Sequence, residues 1–262
     1  MYKKEGIIMT VAVITGASEG LGREYVDAVV EKFPKIDEIW LISRTKEKLQ
    51  AVADQYPQKK FKIIPMDLST DDDLLNFRTE ISHFNPDIKL LINDAGFLNP
   101  GEFINQDYSA QRTMLGVNAL APTLLTNIVL KYMKPSSLIV NVCSISSFAP
   151  IKRQSIYSST KAYIYSLSLS LHWELRKEGI KLLVMCPGNM KTSMYNNSAH
   201  LANEKKNITD RLPFLDMHVI TRKSLELVQK GYIVYTPGLF YKAYRLVAKE
   251  LPHALLARFL KV

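Results

Sequence analysis

Residues 11–22 read Val11-Ala12-Val13-Ile14-Thr15-Gly16-Ala17-Ser18-Glu19-Gly20-Leu21-Gly22. The opening β-branched run is typical of a strand buried on both faces of a parallel sheet. Helical periodicity follows the glycines, with apolar residues at positions 25, 26, 29, 30 and 33. A strand, a glycine turn and a helix in this order bring a phosphate group to the helix N-terminus. The segment therefore predicts a nucleotide-binding unit.

The three glycines have separate expected roles. Gly16 permits the tight turn, Gly20 lets the backbone approach the phosphates, and Gly22 lets the helix pack close to the sheet. Such a triplet also occurs in ordinary flexible loops. Here the strand before it and the helix after it supply the context that the motif requires.

The same alternation of strand and helix continues along the chain. Further strands are predicted at 39–42, 61–66, 90–93, 138–142 and 181–185, with a last one within 231–238. Long helices are predicted from Tyr108 to Met133, interrupted near Pro122, and from Ser155 to about Lys177. This pattern predicts an α/β fold: a Rossmann-like, doubly wound parallel sheet with helices on both faces, in a single domain spanning 1–262.

Two segments depart from this rhythm. Residues from about 193 to 217 are rich in Asn, Ser, Lys and Ala with weak periodicity, which predicts a long surface loop, a kind that often carries function. Residues 239–262 form an amphipathic tail that Pro252 interrupts, with basic residues among the apolar ones. Such a tail can lie on an anionic membrane. We favour packing on the parent domain, on a second subunit or over a substrate pocket.

The end of the second predicted strand bears on which nucleotide binds. NAD-binding proteins usually carry an acidic residue here, which binds the ribose 2′-hydroxyl. This chain has Ser43 and Arg44 instead, and a small hydroxyl followed by a guanidinium suits a 2′-phosphate. We therefore predict NADP (NADPH) in preference to NAD. Glu19 is the contrary observation, since a carboxylate in the phosphate loop repels that group if it points inward.

Tyr157 and Lys161 are the residues that predict chemistry. They lie four apart on a predicted helix and so share one face. A phenol beside a fixed ammonium ionises more readily, and it can exchange a proton with a substrate oxygen near neutral pH. Ser144, at the end of a predicted strand, offers a hydroxyl to the same oxygen. A surface tyrosine with a solvated lysine has the same spacing, so the prediction depends on the other motifs.

Together these motifs resemble the short-chain dehydrogenase/reductase family along nearly the whole chain. The resemblance rests on the glycine turn with Thr15, on Met66-Asp67-Leu68, on Ile92-Asn93-Asp94-Ala95-Gly96, on Asn118, on Ser144, Tyr157 and Lys161, and on Cys186-Pro187-Gly188-Asn189-Met190-Lys191-Thr192. It implies that the catalytic residues are Asn118, Ser144, Tyr157 and Lys161. It implies that the residues that bind the nicotinamide cofactor are Gly16, Ser18, Gly20, Leu21, Gly22, Ser43, Arg44, Asp67, Leu68, Asn93, Ala95, Gly96, Tyr157, Lys161, Pro187, Gly188, Met190 and Thr192.

The resemblance also implies roles. Tyr157 would be the general acid in reduction and the general base in oxidation. Lys161 would favour the phenolate and bind the nicotinamide ribose, Ser144 would polarise the carbonyl, and Asn118 would hold a water that links Lys161 to solvent. The insert would cover the substrate, with Met190, Met194 and Tyr195 as candidate contacts.

Two positions depart from the family pattern. Asp94 replaces an asparagine, and we expect it only to tie neighbouring strands together. Glu19 stands where relatives that use NADP often carry a basic residue. Neither residue touches the proposed chemistry directly.

Composition limits the other functions. The chain has 262 residues, 47% of them apolar and 23% charged, as soluble globular proteins do. The net charge of +9 raises the possibility of anionic partners, but no nucleic-acid motif is present. Cys143 and Cys186 are expected to be buried reduced thiols, and no metal-ligand spacing occurs. We expect neither a signal peptide nor a membrane span, and therefore a cytoplasmic protein.

The function that follows is an NADP-dependent interconversion of a ketone and a secondary alcohol. The tail resembles that of fatty-acyl and steroid ketoreductases, which favours a large apolar substrate such as a hydroxysteroid or bile acid. A 3-oxoacyl thioester reductase is the alternative, and a non-catalytic NADP-binding sensor is a second. The family resemblance further implies a homodimer or homotetramer.

Overall fold

A computed structural model describes residues 9–196 and 212–260. The strands are β1 Thr10–Thr15, β2 Glu38–Ser43, β3 Lys60–Pro65, β4 Asp87–Asn93, β5 Met133–Val142, β6 Lys181–Met185 and β7 Val234–Tyr235. The first helices are α1 Gly20–Lys32, α2 Lys46–Ala53, α3 Asp71–Phe84, α4 Tyr108–Leu115, α5 Ala121–Leu130 and α6 Ser155–Arg176. Three later helices are Met217–Gln229, Leu239–Glu250 and His253–Phe259.

The seven strands form one sheet in the order β3-β2-β1-β4-β5-β6-β7, and every neighbouring pair is parallel. This confirms the predicted doubly wound α/β fold. The strand order reverses between β1 and β4. In such sheets a crevice opens at the carboxyl ends of the strands beside this reversal, so the topology already locates a binding site.

Two apolar layers cover the two faces of the sheet. Ala12 and Ile14 of β1 pack toward α1 and the helix Met217–Gln229. Val11 and Val13 point to the opposite face, toward α3 and α5. Because side chains alternate along a strand, a strand with helices on both sides is apolar at every position. This is the reason for the unbroken apolar run that opens the glycine motif.

The long helix predicted from Tyr108 to Met133 is organised differently. A π-helical turn, Gly116–Leu120, separates α4 from α5, and α5 ends at Leu130. Pro122 has no N–H, and a proline ring crowds the carbonyl four residues earlier, here that of Asn118, so the helix widens before the proline. Met133 belongs instead to β5, which begins before the predicted start at residue 138.

Taken as one helix, Tyr108–Leu130 has 23 residues and a window of mean hydropathy 1.5, enough by length and composition to cross a bilayer. By length and composition alone, this helix is an exception to the expectation that no segment approaches the length of a membrane span. About 39% of that window is buried inside the protein, and the helix contacts β4, β5 and α6. Core helices of soluble proteins pass the same test, so this helix alone does not indicate a membrane protein.

Candidate active site

A cleft that encloses about 970 Å³ runs along the carboxyl ends of the strands. The cleft collects most of the predicted site residues, which lie far apart in the chain. The predicted residues that line it are Gly16, Ser18, Gly20, Leu21, Ser43, Arg44, Asp67, Leu68, Ala95, Gly96, Ser144, Tyr157, Lys161, Pro187, Gly188, Met190 and Thr192. Gly22, Asn93 and Asn118 lie behind the lining.

The glycine turn forms a backbone cradle at the start of α1. Gly16 has a φ of +70°, and a Cβ there would stand 2.9 Å from the Ala95 nitrogen. A Cβ on Gly22 would stand 2.1 Å from the Gly16 carbonyl oxygen. Gly22 therefore packs α1 against the turn itself, whereas we expected contact with the sheet. The N-terminus of α1 faces the cleft and suits a phosphate.

Thr15 joins β1 to the segment that follows β4. Its Oγ1 accepts hydrogen bonds from the backbone N–H groups of Asp94 (3.0 Å) and Ala95 (3.1 Å). These bonds hold the two loops together where the strand order reverses. We did not predict this role. The position of Thr15 at the end of β1, directly before the turn, is the only sequence signal for it.

Asn93 holds the sheet together behind the cleft. Its Nδ2 donates to Thr126 Oγ1 (3.1 Å) and to Asn141 Oδ1 (2.8 Å), and the residue is buried. The side chain thereby ties β4 to β5 and α5. These bonds direct its amide nitrogen away from the cleft and give the side chain a structural role, whereas the predicted contact of Asn93 with a cofactor stays a prediction.

Asp94 reaches across to α1. Its carboxylate accepts the Gly22 N–H, and burial raises its pKa to about 7 despite the opposing effects of the Lys161 charge and of that hydrogen bond. The expectation that residue 94 only ties neighbouring strands together is therefore wrong. That role belongs to Asn93, while Asp94 joins the end of β4 to the first turn of α1.

Asn118 is fully engaged by the loop after β4. Its Nδ2 donates to the Phe97 carbonyl (2.8 Å) and its Oδ1 accepts the Phe97 N–H (2.8 Å), and the residue is 1% exposed. The side chain therefore shapes the cleft wall, and the predicted role of Asn118 in holding a water stays a prediction.

Tyr157 and Lys161 share one face of α6, as their spacing predicts. Both line the cleft, and both side chains are mostly buried. Lys161 Nζ donates to the Val142 carbonyl at the end of β5 (3.2 Å) and lies 5.7 Å from the centroid of the Tyr157 ring. The sheet therefore fixes the ammonium, and the ammonium stands beside the phenol.

Ser144 begins a short 3₁₀ turn, Ile145–Ser147, that follows β5. Its Oγ accepts the Ser146 N–H (3.1 Å) and lies 3.2 Å from Ser146 Oγ. These contacts orient the Ser144 hydroxyl at the cleft. Ser146, which also lines the cleft, was not predicted, since a serine-rich turn carries no distinctive motif.

At the far end of the cleft, Ser43 Oγ is buried and has no hydrogen-bond partner among the described residues. Arg44 stands next to it and is exposed. Glu19 does not stand free: its Oε1 accepts from Ser193 Oγ (2.9 Å) and its Oε2 from Lys48 Nζ (3.2 Å). The site fits the ribose and phosphates of a nicotinamide dinucleotide, because it offers the unpaired Ser43 hydroxyl, the Arg44 guanidinium and the backbone of the glycine turn.

The opposite end of the cleft is apolar. Phe240, Tyr244 and Leu260 of the tail line it, and so do the candidate substrate contacts Met190, Met194 and Tyr195. Two of the alternatives for the tail are observed together: it packs on the parent domain, where Ala248 is buried beside Phe148 and Val184, and it also lines the pocket. Most of the predicted insert, residues 197–211, lies outside the described residues.

Lys152 ties the end of the tail to the loop after Ser144. Its N–H donates to the Leu260 carbonyl (3.2 Å) and its Nζ to the Arg258 carbonyl (3.0 Å). The helix His253–Phe259 thus begins at the predicted break, Pro252, and its end is held beside the cleft.

Cys143 and Cys186 are buried free thiols, as expected. Within residues 9–196 and 212–260, no three His, Cys, Asp or Glu side chains are grouped so that they could hold a metal ion.

Comparison with known proteins gives the same assignment. The family model described as short chain dehydrogenase matches residues 10–202. An uncharacterized oxidoreductase of Staphylococcus aureus strain USA300 is 29% identical over 205 residues, which cover 76% of this chain and 87% of that protein.

Solved structures share the fold. A short-chain dehydrogenase from Sphingobium yanoikuyae in complex with NADPH has a TM-score of 0.74 at 24% identity, covering 94% of this chain and 98% of that one. The bulky-bulky ketone specific alcohol dehydrogenase of Comamonas testosteroni has a TM-score of 0.72 at 24% identity, with coverages of 95% and 97%. A short chain dehydrogenase/reductase from Burkholderia phymatum in complex with NAD has a TM-score of 0.77 at 18% identity, with coverages of 95% and 96%.

The parallel sheet, the glycine cradle and the family match over residues 10–202 lead to one conclusion. This chain belongs to the short-chain dehydrogenase family and is an oxidoreductase.

Proposed function

We propose that the protein is an NADP-dependent oxidoreductase that interconverts a ketone and a secondary alcohol on a large apolar substrate, such as a hydroxysteroid or a bile acid. One observation carries the proposal. A single cleft joins Arg44 at one end, Tyr157 and Lys161 in the middle, and the apolar side chains of the tail at the other end.

The cofactor would lie along the glycine turn. Its phosphates fit the N-terminus of α1 at Gly20, and its nicotinamide end fits the segment from Pro187 to Thr192. When bound, the cofactor supplies or accepts the hydride, which no side chain of the protein can do. The residues of the cleft supply position, electrostatics and the proton.

Tyr157 is the proton donor for ketone reduction and the proton acceptor for alcohol oxidation. Its phenol and the Ser144 hydroxyl line the same cleft, and the ammonium of Lys161 stabilises the phenolate left after donation. The Ser144 hydroxyl, which donates to Ser146 Oγ in the structure, would turn this hydrogen bond to the same substrate oxygen. The proton returns to Tyr157 from the side of Lys161, whose ammonium is fixed by the Val142 carbonyl.

The preference for NADP rests on the residues after β2. Ser43 and Arg44 offer a hydroxyl and a guanidinium where an acidic residue would favour NAD. The structural neighbours contain NADPH in one case and NAD in another, so the preference rests on this chain's own residues. Glu19, the contrary residue, is engaged by Ser193 and Lys48.

The substrate class rests on the tail. Phe240, Tyr244 and Leu260 give the cleft an apolar wall beside Ile145 and Ile151, and burial of apolar surface in such a wall favours a large apolar ligand. The Comamonas testosteroni neighbour is named for ketones that are bulky on both sides, which agrees with a wide cleft.

A cytoplasmic homo-oligomer completes the proposal. Four large apolar side chains on the π turn, α5 and α6 are partly exposed: Leu120, Leu124, Tyr163 and Trp173. A cluster of this kind is typical of a surface that another subunit covers. We include neither nucleic acid nor a membrane among the partners.

The test is NADPH consumption by the purified protein with oxosteroids, oxo-bile acids, 3-oxoacyl thioesters and small ketones, with NADH in parallel. We expect turnover of the polycyclic ketones with NADPH. Turnover of thioesters alone would support the acyl reductase instead. Tight NADPH binding without turnover of any carbonyl would support the non-catalytic sensor.

A further inference from the structure

A second cation stands at the NADP end of the cleft. Lys48, in the first turn of α2, lines the cleft together with Ser43, Arg44 and Thr45. Its Nζ lies 3.2 Å from Glu19 Oε2. This ion pair bridges α2 and the glycine turn, across the space that lies next to the end of β2.

Glu19 is held from two sides. Ser193 donates to one carboxylate oxygen and Lys48 to the other, and these bonds, with the nearby charge of Arg44, lower the pKa of Glu19. The carboxylate is therefore charged at neutral pH. An uncompensated negative charge at this place would repel a 2′-phosphate, but the ammonium of Lys48 lies directly against it.

We propose that Lys48 is a specificity-determining residue that contacts the 2′-phosphate of NADP, and that Glu19 positions its ammonium at the mouth of the cleft. The proposal rests on the NADP preference put forward above. It explains how a chain with a carboxylate in its phosphate loop accepts a dianionic phosphate. The negative charge of Glu19 neutralises one positive charge. The site therefore has a net positive charge only if both Arg44 and Lys48 contribute to it.

The two cations differ in what they contribute. The guanidinium of Arg44 can bind phosphate oxygens in a bidentate manner, whereas the ammonium of Lys48 acts as a compact point charge on a flexible stem. The Lys48 and Glu19 side chains are both about half exposed, so salt screens them. The contribution of Lys48 should therefore be largest at low ionic strength.

The test measures equilibrium binding of NADPH, NADH and adenosine 2′,5′-bisphosphate to the wild-type protein and to Lys48→Gln, at low and physiological salt. We expect Lys48→Gln to weaken NADPH and the bisphosphate about tenfold, equivalent to one charge-assisted hydrogen bond, and NADH less than about twofold. Lys46→Gln is the matched control, because this exposed lysine lies on the same helix but does not line the cleft.

A second variant tests the role of Glu19. In Lys48→Gln the carboxylate faces the phosphate without its partner, so adding Glu19→Gln should recover roughly threefold or more of the lost NADPH affinity. Equal losses for NADPH and NADH in Lys48→Gln, or no loss for the bisphosphate, would overturn the proposal. A wild-type protein that prefers NADH would refute only the NADP preference, since the bisphosphate still tests Lys48 directly.

Discussion

The ring of Tyr241 fills the space where a side chain at position 188 would stand: a Cβ on Gly188 would lie 2.1 Å from the Tyr241 Cζ. The Tyr241 hydroxyl accepts the Asn189 N–H (3.1 Å) and donates to the Pro213 carbonyl (2.7 Å). Tyr241 is fully buried. One side chain therefore joins the tail, the segment proposed to face the nicotinamide, and the last part of the predicted insert.

Replacing Gly188 should break this junction. Gly188→Ala forces Tyr241 away, and overpacking of this kind lowers the free energy of unfolding by about 1–3 kcal/mol. Urea denaturation measures the loss. Gly188 does not have a positive φ, so backbone strain adds nothing and the clash is the cause. In a Tyr241→Leu background, Gly188→Ala should lower the free energy of unfolding much less. Equal losses in both backgrounds would show that a clash with Tyr241 is not the cause.

Tyr157→Phe should abolish turnover and leave the cofactor bound. Loss of the proton donor lowers kcat by about 10²–10⁴-fold, while the aromatic ring is retained. Steady-state kinetics and NADPH titration measure the two effects. Tyr163→Phe is the control, because this half-exposed tyrosine lies on the same helix and bonds only to Thr123 among the described hydroxyl contacts. Comparable activity in the two variants would refute the role of Tyr157.

Arg44→Ala should weaken NADPH far more than NADH. The guanidinium forms charge-assisted bonds with a 2′-phosphate, which NADH lacks, so we expect a loss of about tenfold or more for NADPH alone. Titration of nucleotide fluorescence with both cofactors gives the ratio. If both affinities fall equally, Arg44 does not read the 2′-phosphate.

Asp94 should make stability fall as pH rises. Burial raises its pKa to about 7, whereas in the unfolded chain the carboxyl ionises near pH 4, as a rough reference. Between these values the folded state keeps a proton that the unfolded state has lost, so rising pH favours unfolding, and the loss is complete above the folded pKa.

Asp94→Asn should remove this pH dependence, because the amide keeps an acceptor for the Gly22 N–H and does not ionise. Melting temperatures of both proteins without nucleotide, from pH 5 to pH 8.5, provide the comparison. We expect the melting temperature of the variant to rise relative to that of the wild type as the pH rises. Parallel curves would mean that Asp94 does not titrate in this range.

Phe240→Ala should change the choice of substrate more than the chemistry. The substitution removes part of the apolar wall, so KM for polycyclic ketones should rise about tenfold, while kcat and the NADPH affinity change little. Leu246→Ala is a control on the same helix, since Leu246 is exposed and does not line the cleft. An unchanged KM in Phe240→Ala would place the substrate elsewhere in the cleft.

Local patterns were enough for the parts of the protein that depend on neighbouring residues. The apolar run of β1, the glycines after it and the spacing of Tyr157 and Lys161 all act within a few residues, so they identified the fold and site residues most of which line the cleft. The length of the helix that includes Asn118 was harder to predict. Pro122 indicates a disturbance, but whether the chain breaks or widens depends on what packs around it.

The sequence by itself determined the parallel α/β fold, the glycine cradle and the residues proposed to carry the chemistry, because strand and helix periods and turn chemistry are local. Only the tertiary structure decided that Glu19 pairs with Lys48 and Ser193, and that the Asn118 side chain bonds to the Phe97 backbone. It also decided that Asp94 rather than Asn93 contacts α1, and that Tyr241 holds the tail against Asn189. These contacts join segments remote in sequence. The direction of each side chain there follows from how helices and loops pack, which no local pattern contains.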